Sequence, residues 1–372
     1  MRRLRGLYSL NTEIFDLVYG PEQRERIARH VTMVAPPLTG EALMQDRELL
    51  NEVEVIFSGW GGPCMDEKFF ELAPNVRAVF HAGGAPASVP ANAARRGVVM
   101  TSAHVANSIP VAEYTLATIL FSLKHGWHLI HRTRTQQTFP DRNGAPGCYG
   151  RTVGIIGLGM ISRILLTLLE PFDLRVCAYD PFVTSAEAAE LGVEKISLDE
   201  IFVRSDVVTL HAPHTPKTEG MITGHHLASM RPGSTFINTA RGGLVREQEL
   251  VEVAKARPDI QFVLDVTSPE PPVAGSSLYT LPNVVLTPHI AGSAGGECSR
   301  MGQFLAEELE RFVDGQPLKW AIPSPSTRTS QPVTSSPKRP DLGRRLHNGS
   351  VRRNISLPDQ YISHRMDAFN AQ

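Results

Sequence analysis

Eleven short apolar runs, separated by stretches of helix length, recur along the chain up to Thr287, and few folds accommodate such a rhythm. Five come early: Leu7–Leu10, Val31–Val34, Val53–Phe57, Val76–Phe80 and Val98–Met100. Six follow later: Thr152–Ile156, Val176–Asp180, Val207–His211, Thr235–Asn238, Phe262–Val266 and Val284–Thr287. Continuous apolar runs suit strands buried on both faces, and helical crossovers between them make neighbouring strands parallel. The expected class is α/β, with two doubly wound parallel-sheet domains joined by a long helix over Ser108–Leu129 that carries Pro110 near its first turn. A second helix over Glu297–Asp314, stopped by Gly315 and Pro317, is placed to return the chain to the first domain.

With 372 residues, 42% of them hydrophobic and 20% charged, the chain is long and apolar enough to build two cores. A formal net charge of -1 offers no global attraction to nucleic acid or an anionic membrane, so neither is an expected partner. The most apolar run, Ile109–Leu123, holds Pro110 and Glu113 and falls short of the roughly twenty residues of a membrane helix, so it reads as a buried helix. Met1-Arg2-Arg3 is followed by no apolar signal core, because Arg5, Asn11, Glu13 and Asp16 interrupt Leu4–Tyr19. Cys64, Cys148, Cys177 and Cys298 are widely spaced without a Cys-x-x-Cys pair, so no disulfide framework and no metal cluster are expected, and a cytoplasmic location fits. Beyond Ala321 the chain turns to Ser, Thr, Pro and Arg, with eight Lys or Arg against three Asp; residues 323–372 are expected to be a disordered basic tail.

Within the second domain, the strand Thr152–Ile156 runs into Gly157-Leu158-Gly159-Met160-Ile161-Ser162-Arg163 and then an apolar helix. Strand, glycine turn and helix in this order bind dinucleotides. Gly157 allows the tight turn, and Gly159 lets a pyrophosphate approach the free N–H groups and positive dipole of the helix start. Ser162 stands where a third glycine is usual and is small enough for close helix–strand packing. Asp180 ends the next strand at the distance where a carboxylate binds both hydroxyls of an adenosine ribose. A 2′-phosphate beside it would be repelled by about 4 kcal/mol per unit charge at 4 Å and an effective dielectric of 20. NAD rather than NADP is therefore the expected cofactor.

Three later strands each deliver a residue suited to a carboxylate-bearing substrate, at the edge where doubly wound sheets bind ligands. Arg241 follows Ile237–Ala240, and its guanidinium can grip a carboxylate through two parallel hydrogen bonds. His289, in Pro288-His289-Ile290-Ala291-Gly292, can donate or accept a proton near neutral pH. Glu270, in Asp265–Pro271, can pair with His289.

These residues resemble the D-isomer-specific 2-hydroxyacid dehydrogenases, which include phosphoglycerate, glyoxylate or hydroxypyruvate, and D-lactate dehydrogenases. The likeness covers roughly residues 50 to 320, through Val111–Glu113, Thr152–Arg163, Asp206–Pro213, Asn238–Gly242, Asp265–Pro271 and Pro288–Gly292. It implies an NAD-dependent hydride transfer to or from C2 of a small 2-keto or 2-hydroxy acid. Arg241 would anchor the carboxylate, and the His289–Glu270 pair would act as acid and base. Asp265 would hold the nicotinamide carboxamide, while His211, Ala212 and Pro213 with Thr239 and Ala240 would line the cofactor cleft and Arg163 would lie near the pyrophosphate. It further implies a Rossmann NAD-binding domain (104–297) inserted in a flavodoxin-like substrate domain (1–103 plus 298–322), and a homodimer formed through the cofactor domain. The turn at Gly83 and Gly84 would offer N–H groups to the carboxylate, although Pro86-Ala87-Ser88 stands where the family usually places an acidic residue. The rival reading is a corepressor-like protein that senses dinucleotide on the same fold and acts through partners.

Overall fold

Strands with no polar face need covering on both sides, and the chain supplies that cover in two parallel sheets. The structure, a computed structural model, describes residues 2–84, 88–142 and 144–324. The first sheet contains β1 (Leu4–Ser9), β2 (Val31–Met33), β3 (Val55–Gly59), β4 (Ala78–Ala82) and β5 (Val99–Ser102), in the order β2-β1-β3-β4-β5. The second contains β6 (Arg151–Ile156), β7 (Leu174–Tyr179), β8 (Glu194–Lys195), β9 (Val207–Leu210), β10 (Thr235–Asn238), β11 (Gln261–Leu264) and β12 (Val284–Leu286). Its order is β12-β11-β10-β9-β6-β7-β8, and every pairing in both sheets is parallel. The α/β class with two parallel sheets is as the sequence leads one to expect. The additional strand β8 is only two residues long, too short to leave an apolar run.

The expected single helix over Ser108–Leu129 is instead two: α1 (His104–Ser122) and α2 (Gly126–Gln136). Pro110 lies inside α1 rather than at its start, because the helix begins directly after β5. The break falls at Leu123–His125, where His125 takes a left-handed φ of 52° and its Nε2 lies 3.0 Å from the Gly233 carbonyl oxygen. Gly126 completes the turn. A Cβ there would stand 2.4 Å from the Phe121 ring, so only glycine lets that ring fold over the junction. Among the described residues, no helix is long and apolar enough to cross a membrane.

From the second sheet, α3 (Met160–Leu169) follows β6, and α4 (Cys298–Val313) lies against the first sheet. Met301, Leu305 and Leu309 of α4 share one buried cluster with Tyr8, Phe57 and Phe80 of β1, β3 and β4. Such packing is worth roughly 1.5–3 kcal/mol for each large side chain taken out of water. Gly302 brings α4 against the preceding chain, since a Cβ would sit 1.9 Å from the Val18 carbonyl oxygen. Beyond α4, Ile322 N–H donates to the Met100 carbonyl at 2.8 Å and Val89 N–H to that of Pro323 at 3.0 Å. The expected tail from residue 325 onward, with Pro86 and Ala87, lies outside the described residues.

Candidate active site

In the second sheet β6 stands between β9 and β7, so the strand order reverses beside it, and the turn after β6 opens at that crevice. Gly157 takes φ 92°, and a Cβ on it would lie 2.9 Å from the Ala212 amide nitrogen; glycine is needed for both reasons. Gly159 caps α3 with extended backbone, and nothing lies within 4 Å of where its Cβ would be. The start of α3 therefore carries no side-chain cap. Ser162 is fully buried and its hydroxyl donates to the Gly157 carbonyl at 2.5 Å, so the serine fills the third-glycine position by binding the turn it packs on. Met160 and Ile161 form the half-buried start of α3, and Arg163 Nε donates to the Leu158 carbonyl at 3.1 Å.

Asp180, one residue past β7, accepts the Leu158 N–H through Oδ2 and the Phe182 N–H through Oδ1, each at 2.8 Å. Those bonds fix the carboxylate beside the glycine turn, and each oxygen keeps a lone pair for a further donor. After β9, His211 is buried, with Nε2 3.0 Å from the Thr209 hydroxyl and Nδ1 without a protein partner. Burial pushes its pKa down to about 4, so the ring is neutral. Ala212 is buried and Pro213 exposed; after β10, Thr239 is buried with an unpartnered hydroxyl and Ala240 is half-buried. An open glycine turn, an uncapped helix start and two orphaned polar atoms on adjoining strand ends suit a bound dinucleotide. His214, next to this edge, is paired with Glu219 and stays exposed.

The three candidate catalytic residues emerge from β10, β11 and β12, which are neighbours in the sheet. Asn238 holds the first loop at both ends: Ala240 N–H donates to its Oδ1 and its Nδ2 donates to the Arg241 carbonyl, both at 3.0 Å. The Arg241 side chain is exposed, with Nη1 donating to the Ala240 carbonyl at 2.6 Å. Next to it, Gly242 lies so close to the following loop that a Cβ would be 2.0 Å from the Thr267 carbonyl carbon. The Arg241 and Glu270 loops are thus packed backbone to backbone. Glu270 Oε1 lies 2.6 Å from Nδ1 of His289, and both side chains are nearly half exposed. His289 itself has φ 55°, left-handed for a residue with a Cβ.

What holds His289 there is Asp265, which is 2% exposed. Its carboxylate accepts the Thr287 hydroxyl at 2.6 Å and the N–H groups of Ile290 at 2.8 Å and Ala291 at 2.9 Å. Its carbonyl accepts the His289 N–H at 3.0 Å. Tyr114 of α1 adds a bond to the Thr287 hydroxyl at 2.9 Å, and Asn107 Oδ1 accepts the Ser293 N–H at 2.9 Å. Sequence reasoning missed these supports; the available signal was a carboxylate at the end of an otherwise apolar strand. In the first sheet, Gly83 and Gly84 follow β4, with the Gly83 carbonyl accepting the Ser102 hydroxyl at 2.8 Å and open space around Gly84.

Residues 116–291 match the family described as D-isomer specific 2-hydroxyacid dehydrogenase, NAD binding domain, in accord with NAD as the cofactor. The D-3-phosphoglycerate dehydrogenase of Archaeoglobus fulgidus is 32% identical over 267 residues, which make up 72% of this chain and 51% of that protein. The Mycobacterium tuberculosis enzyme of the same name is 34% identical over 257 residues, covering 68% of this chain and 48% of its own. The chain therefore spans about half the length of the curated relatives it matches. A glyoxylate reductase structure from Paecilomyes thermophila superposes with a TM-score of 0.71 at 22% identity, over 87% of this chain and 99% of that one. A phosphoglycerate oxidoreductase structure from Rhizobium etli gives 0.72 at 19% identity over 88% and 100%. Residues 116–291 thus belong to the D-isomer specific 2-hydroxyacid dehydrogenase NAD-binding family, and the solved structures share the fold of the chain.

Proposed function

We propose that this chain is an NAD-dependent oxidoreductase that interconverts a small 2-keto acid and the corresponding D-2-hydroxy acid. The observation that carries the reading is the 2.6 Å contact between His289 and Glu270, on strand ends of the same sheet edge as the glycine turn. NAD, when bound, supplies or accepts the hydride. Gly157, Gly159, Met160, Ile161, Ser162 and Arg163 form the pyrophosphate turn; Asp180 takes the adenosine ribose; His211, Ala212, Pro213, Thr239 and Ala240 line the cleft. Asp265 is assigned to the nicotinamide carboxamide as well as to the His289 loop.

Arg241 grips the substrate carboxylate and orients the neighbouring carbonyl, helped by N–H groups at Gly83 and Gly84. His289 gives its proton to the carbonyl oxygen during reduction and takes it back during oxidation, while Glu270 fixes the ring and offsets the charge of the imidazolium. In this reading residues 1–103 with 298–322 form the substrate domain and 104–297 the cofactor domain. Free cysteines, exposed at Cys64 and buried at Cys177 and Cys298, suit the cytoplasm. The exposed side chains of Phe121 and Ile130 on α1 and α2 support a homodimer through the cofactor domain.

The test is to mix the purified protein with NADH and glyoxylate, pyruvate, phenylpyruvate, hydroxypyruvate or phosphohydroxypyruvate, and follow the loss of NADH absorbance. Turnover with at least one acid, abolished by His289→Ala, is expected. No turnover with any of them, in protein that binds NADH, would overturn the reading.

A further inference from the structure

The curated relatives are named for a phosphorylated substrate, which raises the question of whether this chain can hold a second anion beside the carboxylate. In a parallel sheet the ligand edge is built by the turns that follow the strands. In the first sheet the described residues of these turns are 10–11, 34–39, 60–66, 83–84, 88–90 and 103, and none is Lys or Arg; the exposed Lys68 stands just beyond, in the first turn of the helix Glu67–Leu72. Three of the helix starts that follow these turns carry acidic residues. Glu13, Glu41 and Glu67 lie in first turns, and the side chains of Asn11, Thr39 and Asp66 already cap those helices. His81 and His104, which flank the Gly83 turn, are both pushed down by burial and are neutral at pH 7.

Four arginines of this domain gather at the opposite edge. Arg2, Arg5, Arg77 and Arg96 line a cavity of about 570 Å³ with Glu52 and Glu54, at the starts of the strands. They cannot reach a ligand at the strand ends. What the ligand edge does offer is Trp60, in the turn Gly59-Trp60-Gly61-Gly62-Pro63. That turn is seated firmly: Asn11 N–H donates to the Trp60 carbonyl at 2.6 Å and Gly40 N–H to that of Gly61 at 2.7 Å. Gly62 leaves no room for a side chain, since a Cβ would be 2.6 Å from the Ser9 carbonyl oxygen. The indole is 39% exposed, and its Nε1 lies 3.4 Å from the point where a Cβ on Gly83 would sit.

The Gly83 turn is in turn tied to the His289 loop. Its carbonyl accepts the Ser102 hydroxyl, that hydroxyl accepts the His104 N–H, and Asn107 one turn along α1 holds the Ser293 N–H. A substrate carboxylate at Gly83 and Gly84 would therefore set the rest of the molecule beside an aromatic wall, among turns whose described residues include no Lys or Arg. A phosphate dianion packed against the indole would lose hydration that an apolar group does not need, and none of the described turn residues offers it a cation.

We infer that the substrate of this site is a 2-keto or 2-hydroxy acid with an uncharged apolar or aromatic group on C3, packed against Trp60, and that phosphorylated acids are rejected. The inference rests on the reaction proposed above.

The experiment compares kcat/KM, with NADH, for phenylpyruvate, 4-methyl-2-oxopentanoate, glyoxylate and phosphohydroxypyruvate. Either apolar acid is expected to exceed phosphohydroxypyruvate at least 100-fold. Trp60→Ala should cut the preference for phenylpyruvate over glyoxylate about tenfold, mainly through KM, and Trp60→Phe should restore most of it. Phosphohydroxypyruvate equal to or better than the apolar acids, or an unchanged preference in folded Trp60→Ala, would overturn the inference. Should no acid turn over, calorimetric titration of the NAD-loaded protein separates the two claims. Saturable binding of phenylpyruvate without binding of phosphohydroxypyruvate upholds the pocket while the reaction fails; the reverse order, or binding of neither, sinks the pocket.

Discussion

Nδ1 of His289 lies 2.6 Å from Oε1 of Glu270, which leaves Nε2 as the ring nitrogen free to meet a substrate oxygen. His289→Ala is expected to lower kcat by roughly 100- to 10,000-fold, the usual worth of a positioned general acid. Glu270→Gln keeps a hydrogen-bonding partner but removes the charge, so its loss should be smaller. Steady-state kinetics of both variants with NADH and the best keto acid decide the point; an unchanged kcat in His289→Ala removes it from proton transfer.

Arg241→Lys retains the charge and loses the planar fork. The expected effect is a rise in KM for the acid of about tenfold or more, because one ammonium cannot make two parallel bonds to a carboxylate. Kinetics at saturating NADH measure it, and an unaltered KM would show that the carboxylate is held elsewhere.

In the proposed function Asp180 sets the choice between dinucleotides. NADH should be used at least tenfold more efficiently than NADPH, since a 2′-phosphate would meet the carboxylate that Leu158 and Phe182 hold in place. Asp180→Ala should narrow that ratio. A wild-type preference for NADPH contradicts the assignment.

Asp265→Ala strands the Thr287 hydroxyl and two backbone N–H groups that it now satisfies. A stability loss of roughly 2–4 kcal/mol is expected for buried donors left unpaired. Chemical denaturation measures the loss, and the His289 loop should slacken enough to depress kcat in whatever fraction stays folded. A variant as stable as the parent would show that the loop is held by other bonds.

His211 gives the fold a pH dependence of known sign. Its folded pKa of about 4 is below the ordinary value near 6.5, so its neutral form is the one the fold accommodates. The unfolded chain takes up the proton first, and stability is full above about pH 6.5 and falls as the pH drops toward 4, by about 3 kcal/mol in all. Denaturation midpoints across this range should flatten in His211→Gln; a slope equal to the parent's would assign the effect to other groups.

Most of the fold was legible in the sequence because both faces of these strands are covered: β3, β9, β10 and β11 are buried throughout and leave short runs centred on apolar residues. The glycine turn was legible because Gly157 is forced by both backbone angle and crowding. What could not be read depends on contacts distant in the chain. The break between α1 and α2 rests on Phe121 folding over Gly126 and on His125 meeting Gly233, and the support of the His289 loop rests on Asp265, Tyr114 and Asn107. Ser162 showed its small size but not its bond to Gly157, which only the turned backbone brings within reach.

The left-handed backbone at residue 289 separates foldability from chemistry at a single position. Glycine would occupy that conformation with less strain, by roughly 1 kcal/mol, than any residue with a side chain. His289→Gly is therefore a substitution the scaffold should welcome and the reaction should not survive, so an assay of solubility or melting alone would rank the inactive protein as the better one.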